Sequence, residues 1–294
     1  MLFTIAIPTY NNRKTISRAI QSALNQTYKG DYEVLVVNNA STDGTLEEIL
    51  LFQDNKIRVV TNPQTVDMYS NHNICLKEAK GDYVLFCHSD DILTKDALLL
   101  LGKRIEERQF PSKYILWWHS MFRDFQAALD RGHQKINTMF SGEFSIHSFV
   151  WGGLTPSGTC YSRESLLEIG GFPAIGSKVP MADWAILVIA AYNHFEFEMI
   201  DRLLFIREFA STANDLNASV WQENTIASLD AIEKSLNKNQ FSNFLAIVKE
   251  RNEGLFFWYK KYMSVEELKQ KAEFDKKEKR RNRIKRLLHF LLRF

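Results

Sequence analysis

Two adjacent carboxylates, Asp90 and Asp91, directly follow an apolar run over residues 83–87 that predicts a buried strand. Carboxylates in that position can hold a hard divalent cation, because Mg²⁺ sites commonly use one or two carboxylates together with ligand phosphates. Neighbouring side chains on an extended segment point to opposite sides, so the two carboxylates are not equivalent. We assign Asp91 to the metal and Asp90 to a ribose hydroxyl or to a supporting position behind the metal. The alternative is a polar turn whose carboxylates cap a helix near Thr94.

A second polar segment, residues 38–45, reads Asn-Asn-Ala-Ser-Thr-Asp-Gly-Thr and follows another apolar run. The side-chain amides of Asn38 and Asn39 can contact the edge of a nucleobase. The segment is not a phosphate-binding loop, because the glycines and the lysine of GxxxxGK[ST] are missing, and no GxGxxG motif occurs in the chain. The alternative is an ordinary turn followed by a capping box, for which Thr45 and Glu48 have the right spacing.

A third carboxylate, Asp183, stands at the start of a helix predicted over residues 183–192. It can act as a general base if it lies within hydrogen-bond reach of the proton that it removes. The alternative is a helix N-cap, since Asp is a preferred residue there. His72 and His88 are interpreted as core or site-lining residues, because neither has a second ligand at the spacing of a helical metal site.

Short apolar runs alternate with helical periodicity over residues 3–87. Strands are predicted at 3–7, 32–37, 57–61 and 82–87, and helices within 12–26, 45–52 and 66–79. This alternation predicts an α/β fold with a parallel, doubly wound sheet flanked by helices. Ligands of such sheets bind at the carboxyl ends of the strands. The strand ends here are residues 8–11, 38–43 and 88–91, so all three polar strand ends are expected to share one site.

The pattern after residue 105 is less regular. Strands are predicted at 114–118, 159–162, 195–200 and 203–206, and helices at 163–169 and 183–192. Residues 122–140 have no clear periodicity. From about residue 215 onward the pattern is helical with polar joints, which predicts a helical C-terminal extension.

The composition of the 294-residue chain excludes several classes of protein. With 45% hydrophobic and 24% charged residues, the chain can bury a sizeable core and is neither disordered nor collagen-like. A net charge of +2 does not suit a highly basic nucleic-acid binder. The three cysteines contain no CxxC pair, so neither a disulfide framework nor a structural zinc site is expected. No signal peptide and no membrane-spanning run are recognised, which favours the cytoplasm.

Together these motifs resemble those of the GT-A glycosyltransferases of family 2. The similarity is strong over residues 3–105, patchy over 155–207 and absent beyond. The matching motifs, in chain order, are IPTYN at 7–11, QTY at 26–28, EVLVVNNASTDGT at 33–45, Asn73, AKGDY at 79–83, Asp90-Asp91, GGF at 170–172 and Asp183-Trp184.

The resemblance implies a nucleotide-diphosphate-sugar donor, a divalent cation (Mn²⁺ or Mg²⁺) and inversion at the anomeric carbon. It implies that Asp183 deprotonates the acceptor hydroxyl and that Asp91 meets the metal-diphosphate. It places the donor nucleotide on the residues Pro8, Thr9, Tyr10, Asn11, Asn38, Asn39, Asn73 and Asp90. Among these, Pro8, Tyr10 and Asn39 are expected to contact the base and Asp90 the ribose.

The chain departs from the family pattern at several positions. Asn38 and Asn39 stand where Asp is frequent, His88 replaces the common first Asp of the metal motif, and Ala182 replaces a frequent acidic neighbour of the base. An amide can donate as well as accept, so the base preference is open. These changes keep a second hypothesis alive, namely a catalytically inactive homologue that binds a nucleotide sugar or serves as a scaffold.

Residues 276–294 form a basic segment with nine Lys/Arg and one Glu. Ile284, Leu287, Leu288 and Leu291 have the spacing of one helical face. A basic helix with a broad apolar face suits an anionic membrane surface. The alternative is a helix that packs on the body or on another subunit. RNA binding is disfavoured, because aromatic residues are not interleaved with the basic run.

These observations predict two domains, a GT-A domain at 1–210 and a helical extension at 211–294. The first divides into a nucleotide-binding half at about 1–105 and an acceptor half at about 106–210. The resemblance implies transfer of a sugar to a saccharide or lipid-linked acceptor in cell-surface polysaccharide assembly. The protein is expected in the cytoplasm, bound as a peripheral protein to the inner face of the cytoplasmic membrane. A nucleotidyltransferase is a weaker alternative, since a basic glycine-rich phosphate loop is missing.

Overall fold

The computed structural model describes residues 2–122, 136–150, 156–175, 182–207, 218–258 and 263–291. The chain divides into two compact units, residues 1–241 and 242–294. The predicted boundary at 210/211 lies outside the described residues, so that division stays a prediction.

Nine strands are described, all of them in the first unit. They are β1 Phe3–Thr9, β2 Tyr32–Asn38, β3 Ile57–Thr61, β4 Tyr83–Phe86, β5 Ile92–Leu93, β6 Tyr114–Phe122, β7 Ile136–Ser141, β8 Thr159–Ser162 and β9 Glu196–Arg207.

The described helices of the first unit are α1 Ile16–Leu24, α2 Thr45–Leu50, α3 Met68–Glu78, α4 Ala97–Glu107, α5 Glu143–Phe149, α6 Arg163–Glu168, α7 Ala182–Tyr192 and α8 Ala218–Ser235. The chain passes into the second unit within α9 Lys238–Arg251, and α10 Glu253–Trp258 and α11 Val265–Leu291 follow. Among the described helices, none has both the length and the apolar character needed to cross a lipid bilayer.

The strands form one sheet in the order β3-β2-β1-β4-β8-β6-β9-β5, with β7 paired to β9. β3, β2, β1 and β4 are mutually parallel, with β1 and β2 in register from Phe3 opposite Tyr32 to Thr9 opposite Asn38. The predicted α/β fold with a doubly wound parallel arrangement is therefore confirmed. Antiparallel pairings enter beyond β4, where β8 joins β4 to β6.

The parallel strands are apolar because helices cover both faces of the sheet. All seven residues of β1 are buried, as expected for a strand without a solvent face. The flanking helix α1 buries Ile16, Ala19, Ile20 and Ala23, which is the predicted i, i+3, i+4, i+7 stripe.

Gly81 lets the turn before β4 approach β1 closely. A Cβ at this position would come within 2.5 Å of the Thr4 nitrogen and 2.7 Å of the Phe3 carbonyl carbon. Both atoms are backbone and cannot move aside, so only glycine fits.

The prediction of two short strands at 195–200 and 203–206 is wrong, because β9 is one strand. Its pairing with β6 shifts register, so that Ile200 faces Trp118 and Leu203 faces His119. Asp201 and Arg202 lie between as a bulge, which interrupts the apolar pattern without ending the strand.

A buried carboxylate, Glu198 of β9, joins the sheet to α4. It accepts hydrogen bonds from Arg104 and Arg108, one turn apart, and from the Tyr114 hydroxyl. Burial by itself raises the pKa of Glu198, but the hydrogen bonds from Arg104, Arg108 and Tyr114 outweigh it and hold the pKa below 4.5.

All three cysteines are buried and unbridged. Cys75 lies in α3, Cys87 follows β4, and Cys160 lies in β8. Burial raises the pKa of each thiol above its ordinary value.

The second unit contains most of the predicted helical extension. Phe257 of α10 and Phe274 of α11 have ring centroids 5.3 Å apart. Lys249 pairs with Glu267 in the same unit. Residues 276–291 of the basic segment belong to α11, so that part of the segment is helical, whereas 292–294 lie outside the described residues.

Candidate active site

The carboxyl ends of β1, β2 and β4 meet at one edge of the sheet. The Asn39 N–H donates to the Thr9 carbonyl at 2.9 Å, and the Cys87 N–H donates to the Ala6 carbonyl at 2.9 Å. The Asn12 amide donates to the Ser89 hydroxyl at 2.6 Å. The three polar segments that the sequence places at strand ends are therefore brought together.

Residues 8–11 form the end of β1 and the start of the following loop. Pro8 and Thr9 are buried, whereas the Tyr10 side chain is 48% exposed. Asn11 adopts a left-handed conformation (φ +51°), which Asn tolerates better than most residues. Its side-chain oxygen accepts the Thr42 N–H at 2.8 Å, so Asn11 holds the neighbouring turn against β1.

The predicted capping box at Thr45 and Glu48 is not formed. Thr45 is the first residue of α2, and its N-cap is Gly44 in a left-handed conformation (φ +90°) without a side-chain cap. The Asp43 carboxylate accepts the Thr45 N–H at 3.0 Å, and the Thr45 hydroxyl accepts the Asn12 N–H at 2.8 Å. The Thr45 hydroxyl thus links the two loops at the sheet edge.

Asn38 and Asn39 are both buried at the end of β2. The Asn39 side-chain oxygen accepts hydrogen bonds from the Val66 N–H and from the Asn62 amide, each at 2.9 Å. Its side-chain nitrogen donates to the Val66 carbonyl at 2.8 Å. Asn39 therefore braces the segment before α3, and its predicted contact with a base is untested.

His88, Asp90 and Asp91 present ligand atoms that lie within 4.8 Å of one another. Asp91 is only 3% exposed, and its Oδ2 accepts a hydrogen bond from the Ser157 hydroxyl at 2.7 Å. The same hydroxyl accepts the His88 N–H at 2.8 Å. Two carboxylates and an imidazole fit a divalent cation, so the donor set suits the metal expected here. Which of them bind the metal stays a prediction.

His88 is also in contact with His72, and nothing in the sequence spacing predicts this pair. The two Nε2 atoms are 2.9 Å apart, and Nδ1 of His72 lies 2.7 Å from the Met68 carbonyl oxygen. Burial lowers the pKa of His72 to about 4, so its ring is neutral near pH 7. The sequence contains one hint of this contact, namely the order of the elements. Because α3 leads directly into β4, the buried face of α3 is expected to pack near the end of that strand.

Asp183 is the second residue of α7 and lies within its first turn rather than ahead of it. Its Oδ1 accepts the Trp184 N–H at 2.9 Å, and the Tyr69 hydroxyl hydrogen-bonds with Asp183. Burial and the neighbouring Asp183 charge raise the pKa of Tyr69 well above its ordinary value. The phenol therefore keeps its proton and donates to the carboxylate.

Tyr69 connects Asp183 with the histidine pair. Its ring centroid lies 5.3 Å from that of His72 and 5.4 Å from that of Phe172. Tyr69, His72 and Phe172 thus form one buried aromatic layer. Asp183 contacts this layer through Tyr69, and His88 contacts it through His72.

Asn73 anchors the same layer. Its amide nitrogen donates to the Phe172 carbonyl at 2.7 Å, and its side-chain oxygen accepts the Phe172 N–H at 2.8 Å. Both polar ends of the side chain are therefore bound to backbone, and its predicted contact with the donor stays a prediction.

The sequence around this site is similar to that of a known protein family. Residues 4–135 match the family described as Glycosyl transferase family 2. Residues 4–135, somewhat less than half of the chain, therefore resemble a family 2 glycosyltransferase domain. The match covers the strand edge, the segment 38–45 and the His88 cluster, whereas Asp183 lies beyond it.

Curated relatives match the family 2 domain in sequence. A glucosyltransferase from Escherichia coli, "UDP-Glc:alpha-D-GlcNAc-diphosphoundecaprenol beta-1,3-glucosyltransferase WfgD", is 40% identical over 91 residues, covering 31% of this chain and 36% of WfgD. The poly(ribitol-phosphate) beta-N-acetylglucosaminyltransferase TarS from Staphylococcus aureus Mu50 is 35% identical over 115 residues, covering 36% and 19%. The matched segments span 56% or less of the first curated relatives' own length.

Solved structures match almost the whole chain. The crystal structure of S. aureus TarS 1–349 in complex with UDP has a TM-score of 0.63 at 20% identity, covering 92% of this chain and 78% of TarS 1–349. A mannosyltransferase from Pyrobaculum calidifontis, in complex with GDP-Man and Mn²⁺, has a TM-score of 0.61 at 18% identity, covering 93% and 79%. These likenesses confirm the GT-A fold of the family 2 domain.

Proposed function

We propose that the chain is an inverting, metal-dependent glycosyltransferase that uses a nucleotide-diphosphate-sugar. The observation that carries the proposal is the cluster of His88, Asp90 and Asp91 at the carboxyl edge of a family 2 sheet. The second support is the geometry of Asp183, a carboxylate oriented by Tyr69 at the other end of the same buried layer.

The donor nucleotide binds along the strand edge. The exposed Tyr10 ring stacks on the base, Pro8 and Thr9 form the floor beneath it, and Asp90 accepts from a ribose hydroxyl. Asn11, Asn38 and Asn39 hold the loops that shape this surface. Asp91, fixed by the Ser157 hydroxyl, holds the cation, which when bound supplies positive charge for the departing diphosphate.

Asp183 acts on the acceptor. It accepts the proton of the acceptor hydroxyl while that oxygen bonds to the anomeric carbon of the donor, and the bond from that carbon to the diphosphate oxygen breaks. A single displacement of this kind inverts the anomeric configuration. Tyr69 keeps the carboxylate oriented, and holding donor and base in line supplies much of the rate.

The test is a thermal-shift panel of UDP-, GDP-, dTDP- and CMP-sugars, each with and without Mn²⁺. A ligand that binds only the folded state adds about 2.7 kcal/mol of stability at a hundredfold excess over its Kd. We expect one nucleotide to raise the Tm in a metal-dependent way. The Asp91→Ala variant should lose the metal-dependent part of the shift and the transfer activity. Metal-dependent binding without any transfer to saccharide or lipid-linked acceptors would instead support the inactive homologue.

We further propose an acceptor in cell-surface polysaccharide assembly, reached from the inner face of the cytoplasmic membrane. WfgD is named for a diphosphoundecaprenol substrate and TarS for poly(ribitol-phosphate), which supports a lipid-linked or polymeric acceptor. The basic segment 276–294 supports the membrane part, because each Lys or Arg near an anionic surface contributes about 1 kcal/mol.

The membrane proposal is tested by cosedimentation with vesicles. The full chain should bind vesicles rich in phosphatidylglycerol and not vesicles of phosphatidylcholine alone. Replacing Arg280, Arg281 and Arg283 by Gln should weaken that binding, whereas replacing three Lys/Arg outside the segment should not. Equal binding by both variants would reject the segment as an anchor.

A further inference from the structure

His72 and His88 form a pair whose geometry determines where their protons lie. Nδ1 of His72 is 2.7 Å from the Met68 carbonyl oxygen, which can only accept, so Nδ1 carries the hydrogen. The His72 ring is 2% exposed, and burial disfavours the charged form that would carry a second N–H. Nε2 of His72 is therefore an acceptor.

The proton on His88 follows from that acceptor. Its Nε2 lies 2.9 Å from Nε2 of His72, and a hydrogen bond needs one donor and one acceptor. Nε2 of His88 must then carry the N–H, so Nδ1 is the ring nitrogen through which His88 would bind a cation. The two ring centroids are 5.0 Å apart, and the ring planes are nearly perpendicular, at 82°.

We propose that His88 binds the cation of the active site through Nδ1, and that His72 is a positioning residue that selects this tautomer. Metal-binding histidines commonly donate their other ring N–H to a fixed acceptor, and here His72 is that acceptor. Asp90 and Asp91 supply the oxygen ligands within the same 4.8 Å cluster. This inference rests on the proposed function and adds the identity of one ligand.

A nitrogen ligand changes which cation the site selects. Mg²⁺ prefers oxygen ligands, whereas imidazole favours transition ions, with affinity rising from Mn²⁺ to Co²⁺ and Ni²⁺. Replacing a carboxylate by a neutral ring also removes one negative charge. The site therefore discriminates against Mg²⁺ more strongly than an all-carboxylate version of itself does.

Pulsed electron paramagnetic resonance on the untagged full chain with Mn²⁺ alone tests the ligand directly. We expect nitrogen-14 modulation from a bound imidazole in the wild type. The His88→Asp variant should still bind Mn²⁺, lose the nitrogen signal and shift its Mn²⁺/Mg²⁺ affinity ratio toward Mg²⁺ by about tenfold or more. His194→Asn, at an exposed turn, is the matched control and should keep the signal.

His72 variants test the positioning role. His72→Phe should weaken Mn²⁺ binding about 10- to 100-fold, while His72→Gln, whose side-chain oxygen can accept the His88 N–H, should recover most of it. Circular dichroism confirms that each variant is folded.

The outcomes separate this inference from the proposed function. Bound Mn²⁺ without nitrogen modulation, or modulation that persists in His88→Asp, would overturn the role of His88 and leave the transferase intact. Failure to bind Mn²⁺ at all, with or without UDP, would overturn both.

Discussion

Asn73 and Phe172 lie 99 residues apart in the sequence and exchange two hydrogen bonds, one from each polar end of the Asn73 amide. Through them the helix that carries Tyr69 and His72 is tied to the turn that follows α6. The two halves of the site are therefore connected by a side chain that the sequence assigns to the donor.

The Asn73→Ala variant should be destabilised by about 1–3 kcal/mol. The substitution leaves the N–H and the carbonyl of Phe172 without their partner, and unsatisfied buried groups cost that much. Asn55→Ala, at an exposed turn, should change the free energy of unfolding by less than about 0.5 kcal/mol. Urea denaturation of both variants measures the difference; equal stabilities would show that the amide acts only on the ligand.

The Asp183→Asn variant should lower kcat by about 10²- to 10⁴-fold with little change in donor Kd. The amide keeps the size of the side chain but cannot accept the acceptor proton. Steady-state kinetics with titration calorimetry of the donor nucleotide separates the two quantities. Equal losses in both would reject the role of Asp183 as base.

The Tyr69→Phe variant should lower kcat by about 10- to 100-fold, because it removes a hydrogen bond to a carboxylate worth about 1.5–3 kcal/mol. Tyr83→Phe also loses a buried hydroxyl bond, from Tyr83 to the Pro111 carbonyl, but far from the base. It should lose stability and keep kcat. Similar rates for the two variants would argue that Tyr69 only supports packing.

Asn39→Asp should destabilise the protein by about 1–3 kcal/mol, although Asp is frequent at this position in the family. A carboxylate cannot donate to the Val66 carbonyl and would place an oxygen against it. Thermal unfolding measures the change. A variant as stable as the wild type would show that the segment before α3 adapts, and its donor panel would then report whether the base preference follows residue 39.

Glu198→Gln should destabilise the protein by about 1–3 kcal/mol at pH 7, because Arg104 and Arg108 lose a charged partner. The folded-state pKa of Glu198 lies below 4.5. The stability that the Glu198 carboxylate contributes to the folded protein is therefore fully present above pH 4.5 and is lost as the pH falls through the folded-state pKa. The stability difference between variant and wild type should therefore narrow below about pH 4.5.

The control for that experiment is Glu107→Gln, which removes the half-exposed partner of Arg104. It should cost less than about 1 kcal/mol, as exposed ion pairs do. A pH-independent difference for Glu198→Gln would mean that the carboxylate acts through shape rather than charge.

The first four strands and α1 are readable from the sequence because local periodicity reports burial. β1 is apolar on both faces and α1 has a clean stripe, and both lie where predicted. Tyr10, Asn39 and Asp91 follow three of these parallel strands. Because the carboxyl ends of parallel strands lie at the same edge of a sheet, the three residues are placed at that edge.

Other features depend on distant residues and have no local signal. The two residues of β5 form a strand only by pairing with β9. The bulge at Asp201 and Arg202 looks like a turn until β6 is placed beside it. The contact between His72 and His88 depends on how α3 packs on β4, so the sequence left both as lining or core residues.

The three buried cysteines can report local opening of the structure around the candidate site. Cys75, Cys87 and Cys160 sit on α3, on the loop after β4 and on β8, the three segments that surround the histidine pair and Asp91. A thiol reagent can reach them only when those segments part from one another. The rate of thiol labelling therefore reports the frequency of local opening at the site. The cysteine that reacts first identifies the segment that opens.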